Sequence, residues 1–94
     1  MQLLQFALPE RVGAICAEAV TVICGGATLI PNALGWWVNG RGEVERERIH
    51  WLIVGVGENQ VEEVVETVKE ILKKEGESAV FYVVGNEPRL EWLQ

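Results

Sequence analysis

Two unusually long extended stretches, roughly residues 27 to 38 and 43 to 56, flank an Asn39-Gly40 pair. Asn-Gly suits the two positive-φ positions of a type I′ turn, so the stretches read as one antiparallel hairpin. Pairing outward from that turn sets Trp36 across from Glu43 and Leu34 across from Glu45. At about 3.3 Å per residue each arm spans roughly 40 Å, about twice a usual strand. An arm of that length is expected to reach beyond one compact monomer.

The rest of the chain supplies a short first strand at 2 to 7, then a helix over about 9 to 24. Pro9 is expected at the first helical position, and Val12, Ile15, Cys16, Ala19, Val20 and Ile23 form its apolar stripe. Gly25-Gly26 stops it. A second helix is expected over 59 to 75, started by Asn59 with Glu62 three positions on and closed by Gly76. Its stripe is Val61, Val64, Val65, Val68, Ile71 and Leu72. Ser78 to Val84 reads as the fourth strand, and the tail from Arg89 to Gln94 as a short turn or strand carrying Trp92. No linker or repeat divides residues 1–94, which read as a single domain.

The order β-α-β-β-α-β predicts an α+β, ferredoxin-like fold: a four-stranded antiparallel sheet, both helices on one face, and a long hairpin between the second and third strands. Residues 49 to 56 and 79 to 84 are apolar at both parities. Such runs mark strands covered on both sides, and helices on one face leave the other to a further subunit. An apolar fraction of 49% with four tryptophans, in only 94 residues, points the same way.

Fourteen Glu and no Asp oppose eight Lys plus Arg, for a net charge of −6, which disfavours phosphate backbones and anionic membranes. Nucleic acid and membrane are therefore not expected as partners. The lack of a long apolar run or of a basic start followed by one leads to the expectation of a cytoplasmic protein. Cys16 and Cys24, eight residues apart on one helix, are too distant to bridge and read as reduced core thiols. One His and no C-x-x-C give no structural zinc pattern.

The segment Ala27-Thr-Leu-Ile-Pro-Asn32, the pair Trp36-Trp37, the turn Asn39-Gly-Arg-Gly42, and Glu43-Val-Glu-Arg-Glu47 running into Ile49-His-Trp-Leu-Ile-Val54 resemble the PII-like and CutA-like superfamily. The resemblance covers about 30 residues at the level of motif. It implies a homotrimer with sheets facing inward and ligand clefts where one hairpin meets a neighbour, in a regulatory or stress-related role. The entry to the second helix, Gly55-Val-Gly-Glu-Asn59, has neither a Gly-rich phosphate loop nor a basic residue, unlike nucleotide-sensing members.

Candidate ligand residues cluster on the hairpin. Glu43, Glu45 and Glu47 alternate along a strand and share a face, so they could gather a divalent cation, although solvated charge on an exposed arm is the simpler reading. Arg46 and Arg48 take the opposite face with His50, the single histidine, which is a base or metal ligand in one reading and a hydrogen-bonded structural residue in the other. Trp36, Trp37 and Trp51 could stack on a planar ligand while Arg46 or Arg48 meets an anionic group, or could pack in a subunit contact. The partners expected are thus a second copy and a small anionic or nucleotide ligand or a divalent cation, with no cofactor specified. A small enzyme with an intersubunit site built from Glu residues and His50, and a purely structural oligomer, are the alternatives.

Overall fold

The computed structural model describes residues 1–93. Strand β1 (Gln2–Pro9) leads through a 3₁₀ turn (Glu10–Val12) into helix α1 (Gly13–Cys24). Strands β2 (Thr28–Val38) and β3 (Val44–Val56) form the long hairpin. A second 3₁₀ turn (Glu58–Gln60) enters helix α2 (Val61–Lys74), followed by β4 (Ala79–Val84) and β5 (Glu87–Trp92). The fold is α+β, with two helices and one antiparallel sheet in the order β2-β3-β1-β4-β5.

The sheet has five strands among the described residues, not the four expected, because the tail pairs along all of β4, from Ala79 opposite Trp92 to Val84 opposite Glu87. Gly85, with φ 64°, makes the tight reversal into β5, which carries Pro88. On this edge strand the missing N–H of proline costs no ladder bond.

The core lies between one sheet face and the helices. Leu4, Phe6 and Leu8 of β1, Leu52, Val54 and Val56 of β3, and Val80, Tyr82 and Val84 of β4 alternate inward with the strand period of two. Against them pack Val12, Cys16 and Val20 from the first turn and α1, and Val64, Val65, Val68 and Leu72 from α2. Ile15, expected in the α1 stripe, is instead half-exposed. Burial pushes the Cys16 thiol up to about 11, and both cysteines are free.

The helix ends show how local chemistry sets the boundaries. Pro9 closes β1 rather than opening α1, with ψ 143° holding it extended. Gly25 takes the left-handed conformation at φ 93° and donates to Thr21 O. At the start of α2 the reciprocal bonds run between Gly57 and Gln60, not between Asn59 and Glu62: Gln60 N donates to Gly57 O at 2.9 Å and Gly57 N to Gln60 Oε1 at 3.1 Å. Its end is a Schellman motif, with Gly76 N on Lys73 O and Glu77 N on Leu72 O, both at 3.0 Å. Glu62 and Glu63 in the first turn and Lys73 and Lys74 in the last match the helix dipole.

A polar clamp ties β5 to α2. The Tyr82 hydroxyl donates to Glu91, whose other carboxylate oxygen meets Lys69 Nζ at 2.7 Å. Lys69 and then Tyr82 hold the Glu91 carboxyl below its ordinary range, while burial and then the Glu91 bond push the phenol up. A lowered folded-state pKa gives stability that is fully present above the usual carboxylate range and is lost as pH falls through the lowered value. Glu91→Gln should therefore cost about 1 kcal/mol at pH 7, the partial exposure of the pair keeping it modest. In urea titrations that difference from the parent should shrink toward zero near pH 3.

Candidate functional site

Asn39 organises the hairpin tip, but not as a two-residue turn. Gly42 N donates to Asn39 O at 3.0 Å and Asn39 N to Glu43 O at 2.9 Å, so Gly40, Arg41 and Gly42 form a three-residue loop. Asn39 Oδ1 accepts from Arg41 N and Glu43 N, and its amide donates to Glu43 Oε1 and Glu45 Oε2. The positive φ lies at Gly42, at 79°, and not at Asn39 or Gly40. That local asparagine chemistry outcompetes the type I′ geometry.

The consequence is a changed register. Trp36 faces Arg46, Trp37 faces Glu45 and Leu34 faces Arg48, in place of the expected Trp36 to Glu43 and Leu34 to Glu45 pairs. The slip is odd, so it exchanges which tryptophan shares the glutamate face. A bulge between Ile30 and Ala33, with Asn32 at φ 65°, absorbs one extra residue and keeps Ile30 and Ala33 on the same face as their partners Trp51 and Ile49.

On the face away from the helices the sheet forms an open trough of about 770 Å³. Ala7, Ile49, Trp51 and Phe81 make its floor, the segment from Gly35 to Gly40, Trp36 and Trp37 included, one wall, and Leu90 with Trp92 the other. Trp37 is 40% exposed and Trp92 71%, high values for large apolar side chains. Among the described residues its lining has two charges, Glu47 and Glu77, and no Lys or Arg.

Glu47 sits at the junction of this trough with a smaller notch lined by Pro9, Glu10, Arg11 and Arg48. Arg11 is drawn away toward the turn before β4, donating to Glu77 Oε2 at 2.6 Å and Glu75 O at 2.7 Å. Burial first, and then the Glu77 charge, raise the Glu47 carboxyl above its ordinary value, with Arg11 opposing.

The other hairpin candidates do not converge. Glu43 is engaged by Asn39 and by Arg41, the latter at 3.1 Å, and Glu45 by Asn39, both exposed at the tip. Among the described residues no group of three His, Cys, Asp or Glu side chains is placed to hold a metal ion. Arg46 and Arg48 alternate to the helix-side parity, and neither lines the trough, although Trp36 of the same parity does. Arg48 makes only a long 3.5 Å contact with Asn32.

His50 packs as a structural residue, but its Nδ1 lacks the hydrogen bond expected of one. It packs against Gly13 at the start of α1, where an added Cβ would fall 2.3 Å from its Nδ1, and that nitrogen is buried without a partner. Its strand parity puts it through the sheet from Glu47, so no Glu-His pair forms across the trough. Sequence reading missed Phe81, Leu90, Trp92 and Glu77. Phe81, Leu90 and Trp92 carried a signal, since the tail read as a strand places Pro88, Leu90 and Trp92 on one parity.

No family model matches the chain, and no curated protein does. Among solved structures it is similar to a phage SAM lyase in complex with S-methyl-5'-thioadenosine, with a TM-score of 0.66 and 12% identity over 97% of this chain and 87% of that one. At that identity the likeness is one of fold. Among the described residues no helix is long and apolar enough to cross a membrane.

A raised folded-state pKa at Glu47 gives a contribution that is favourable below the ordinary carboxylate range and is lost as pH rises through the raised value. Glu47→Gln should thus stabilise the protein slightly at pH 7, by at most about 0.5 kcal/mol for so open a position. Thermal melts should show the gain disappear near pH 4.

Proposed function

We propose that the chain is a self-assembling protein with a ferredoxin-like β2-β3-β1-β4 core extended by β5, of the PII-like and CutA-like trimeric kind, and that its trough binds a small adenosine-type ligand at a subunit boundary. The observation that carries the ligand reading is the trough's composition: aromatic walls and floor, two carboxylates and no basic residue among the described ones. Indole and phenyl faces stack on a planar base and attract a cation, whereas the lining offers a phosphate no basic side chain, Arg11 being held by Glu77. A neutral or cationic nucleoside suits this lining better than the anionic nucleotide that the arginines had suggested. The similar fold solved with S-methyl-5'-thioadenosine, a neutral thioether nucleoside, supports the same class.

Self-assembly is supported by the exposed apolar face and by an accessible surface of 5848 Å². A folded monomer of this size is expected to expose about 5,400 Å². The principal extents of 40 × 26 × 22 Å reflect the projecting hairpin.

A second reading, favoured by the raised Glu47 carboxyl beside the aromatic floor, is an enzyme acting on a sulfonium nucleoside. Here ionised Glu47 would remove a proton β to the sulfonium, the electrons of that C–H bond would form a C=C bond, and the carbon–sulfur electron pair would leave on sulfur as a neutral thioether.

Thermal-shift and calorimetric titrations with S-methyl-5'-thioadenosine, S-adenosylmethionine and ATP test the binding reading. The two sulfur nucleosides should raise the melting temperature, by an amount corresponding to about 2.7 kcal/mol at 100 times Kd, and ATP should not. Trp51→Ala should weaken binding about tenfold or more, the scale of one base stacked on one aromatic ring. ATP binding as tightly as the nucleosides would contradict the assignment. Chromatographic release of S-methyl-5'-thioadenosine from S-adenosylmethionine, lost in Glu47→Gln, would select the enzyme.

A further inference from the structure

One wall of the trough is the last strand, and little on the trough side holds it there. Leu90 and Trp92 form that wall and are mostly exposed. They lie opposite Phe81 and Ala79 of β4, while Arg89 and Glu91 alternate to the helix side, opposite Tyr82 and Val80. β5 is an edge strand of six residues, one of them Pro88. The ladder to β4 specifies such a strand weakly, since backbone bonds form in any register and few buried apolar side chains penalise a slip.

Glu91 supplies what the ladder lacks. One of its carboxylate oxygens accepts from the Tyr82 hydroxyl and the other meets Lys69 Nζ of α2 at 2.7 Å. Both partners are firmly placed. Tyr82 is buried and its ring stacks on Phe6 of the central strand, with centroids 5.5 Å apart. Lys69 is steadied by Glu66, one turn away on α2, at 3.3 Å. Arg89 lies beside the same hydroxyl, but its carboxylate partner, Glu87 at 3.4 Å, belongs to β5 itself. Just past the strand, buried Leu93 donates its N–H to Ser78 O at 2.8 Å.

We propose that Glu91 is a positioning residue for the trough: gripped from the helix side, it fixes the Leu90 and Trp92 wall on the opposite side of β5. The affinity of the site then depends on a carboxylate that does not line it. The proposal rests on the ligand reading above and adds a group that shapes the site from outside.

Glu91 and Trp92 are adjacent, so the placement of one is passed directly to the other. Slipping β5 by one residue would send Leu90 and Trp92 through the sheet and turn Glu91 toward the trough, and slipping it by two would carry the indole ~7 Å along the wall. Either slip takes the carboxylate off Lys69 and deprives the Tyr82 hydroxyl of its acceptor. The clamp therefore selects one register, and that register puts both large apolar side chains of β5 on the ligand side. The dependence is reciprocal: a ligand seated against Leu90 and Trp92 holds down the same strand that the clamp holds down.

Calorimetric titration with S-methyl-5'-thioadenosine and hydrogen-exchange mass spectrometry of residues 87 to 93 test this on the parent chain, Glu91→Gln, Lys69→Met and Ile23→Val, with circular dichroism to verify folding. Glu91→Gln and Lys69→Met remove the two sides of the clamp, and each gives the reading if the other does not fold. Both should raise Kd about fivefold or more, the low end of coupling between sites, and speed β5 amide exchange by a similar factor. The ligand should slow that exchange in the parent. Ile23 belongs to α1, which packs over β3 and β2, on the far side of the sheet from β5. Ile23→Val should lower the melting temperature yet leave Kd and β5 exchange at the parent's values. A parent that does not bind the nucleoside would overturn the ligand reading, and this role for Glu91 with it. A parent that binds, with Kd unchanged in both clamp variants, would overturn the role alone. An equal loss of affinity in Ile23→Val would trace the effect to general stability and remove Glu91 from the account of the site.

Discussion

Strands β1 and β4 and residues 49–56 of β3 are largely apolar on both faces, while the two helices cover only one of them. On the covered side Leu4, Phe6, Leu8, Leu52 and Tyr82 reach full or nearly full burial. On the other, Phe81, Ile30 and Leu3 keep two fifths or more of their surface in water. Each large side chain left out forgoes stabilisation of about 1.5 to 3 kcal/mol available from burial. The hairpin and the trough both border that uncovered face, and the proposed self-assembly is one way to cover it.

The hairpin and the fifth strand shape the face into two regions. At one end the β2–β3 arm and β5 rise on opposite edges of the sheet and leave a trough with an aromatic floor and acidic rim. At the other, around Leu3, Gln5, Ile53 and Val83, the face carries no charged side chain. Trp51 belongs to both, its ring in the trough and its N–H on Gln5.

Most of the architecture was legible because it rests on periodicity. The α2 stripe of Val64, Val65, Val68 and Leu72, the Gly25 and Gly76 stops and the long arms are all local patterns that tertiary packing reinforces. The fifth strand was less legible, since Pro88 argues against a strand until Gly85 turns the chain back and makes Pro88 an edge residue. The candidate site was legible only in part. Trp36, Trp37, Trp51 and Glu47 all line the trough, but Trp36 pairs with Arg46 and not with Glu43, because Asn39 caps its own loop and shifts the register by an odd number. Arg46, Arg48 and His50 were grouped with the glutamates by nearness in sequence, although strand alternation sends them through the sheet. The walls from β4 and β5 lie some forty residues away in sequence, and only the closed topology brings them to the hairpin.

The claim that the uncovered face is an assembly surface is tested most directly by small-angle X-ray scattering at ~100 μM. An isolated chain has a radius of gyration of 12.9 Å. Three copies packed through their sheets should give about 19 Å, the value for a compact particle of three times the length. A concentration-independent value near 12.9 Å would show that the face stays in water, and would contradict the account.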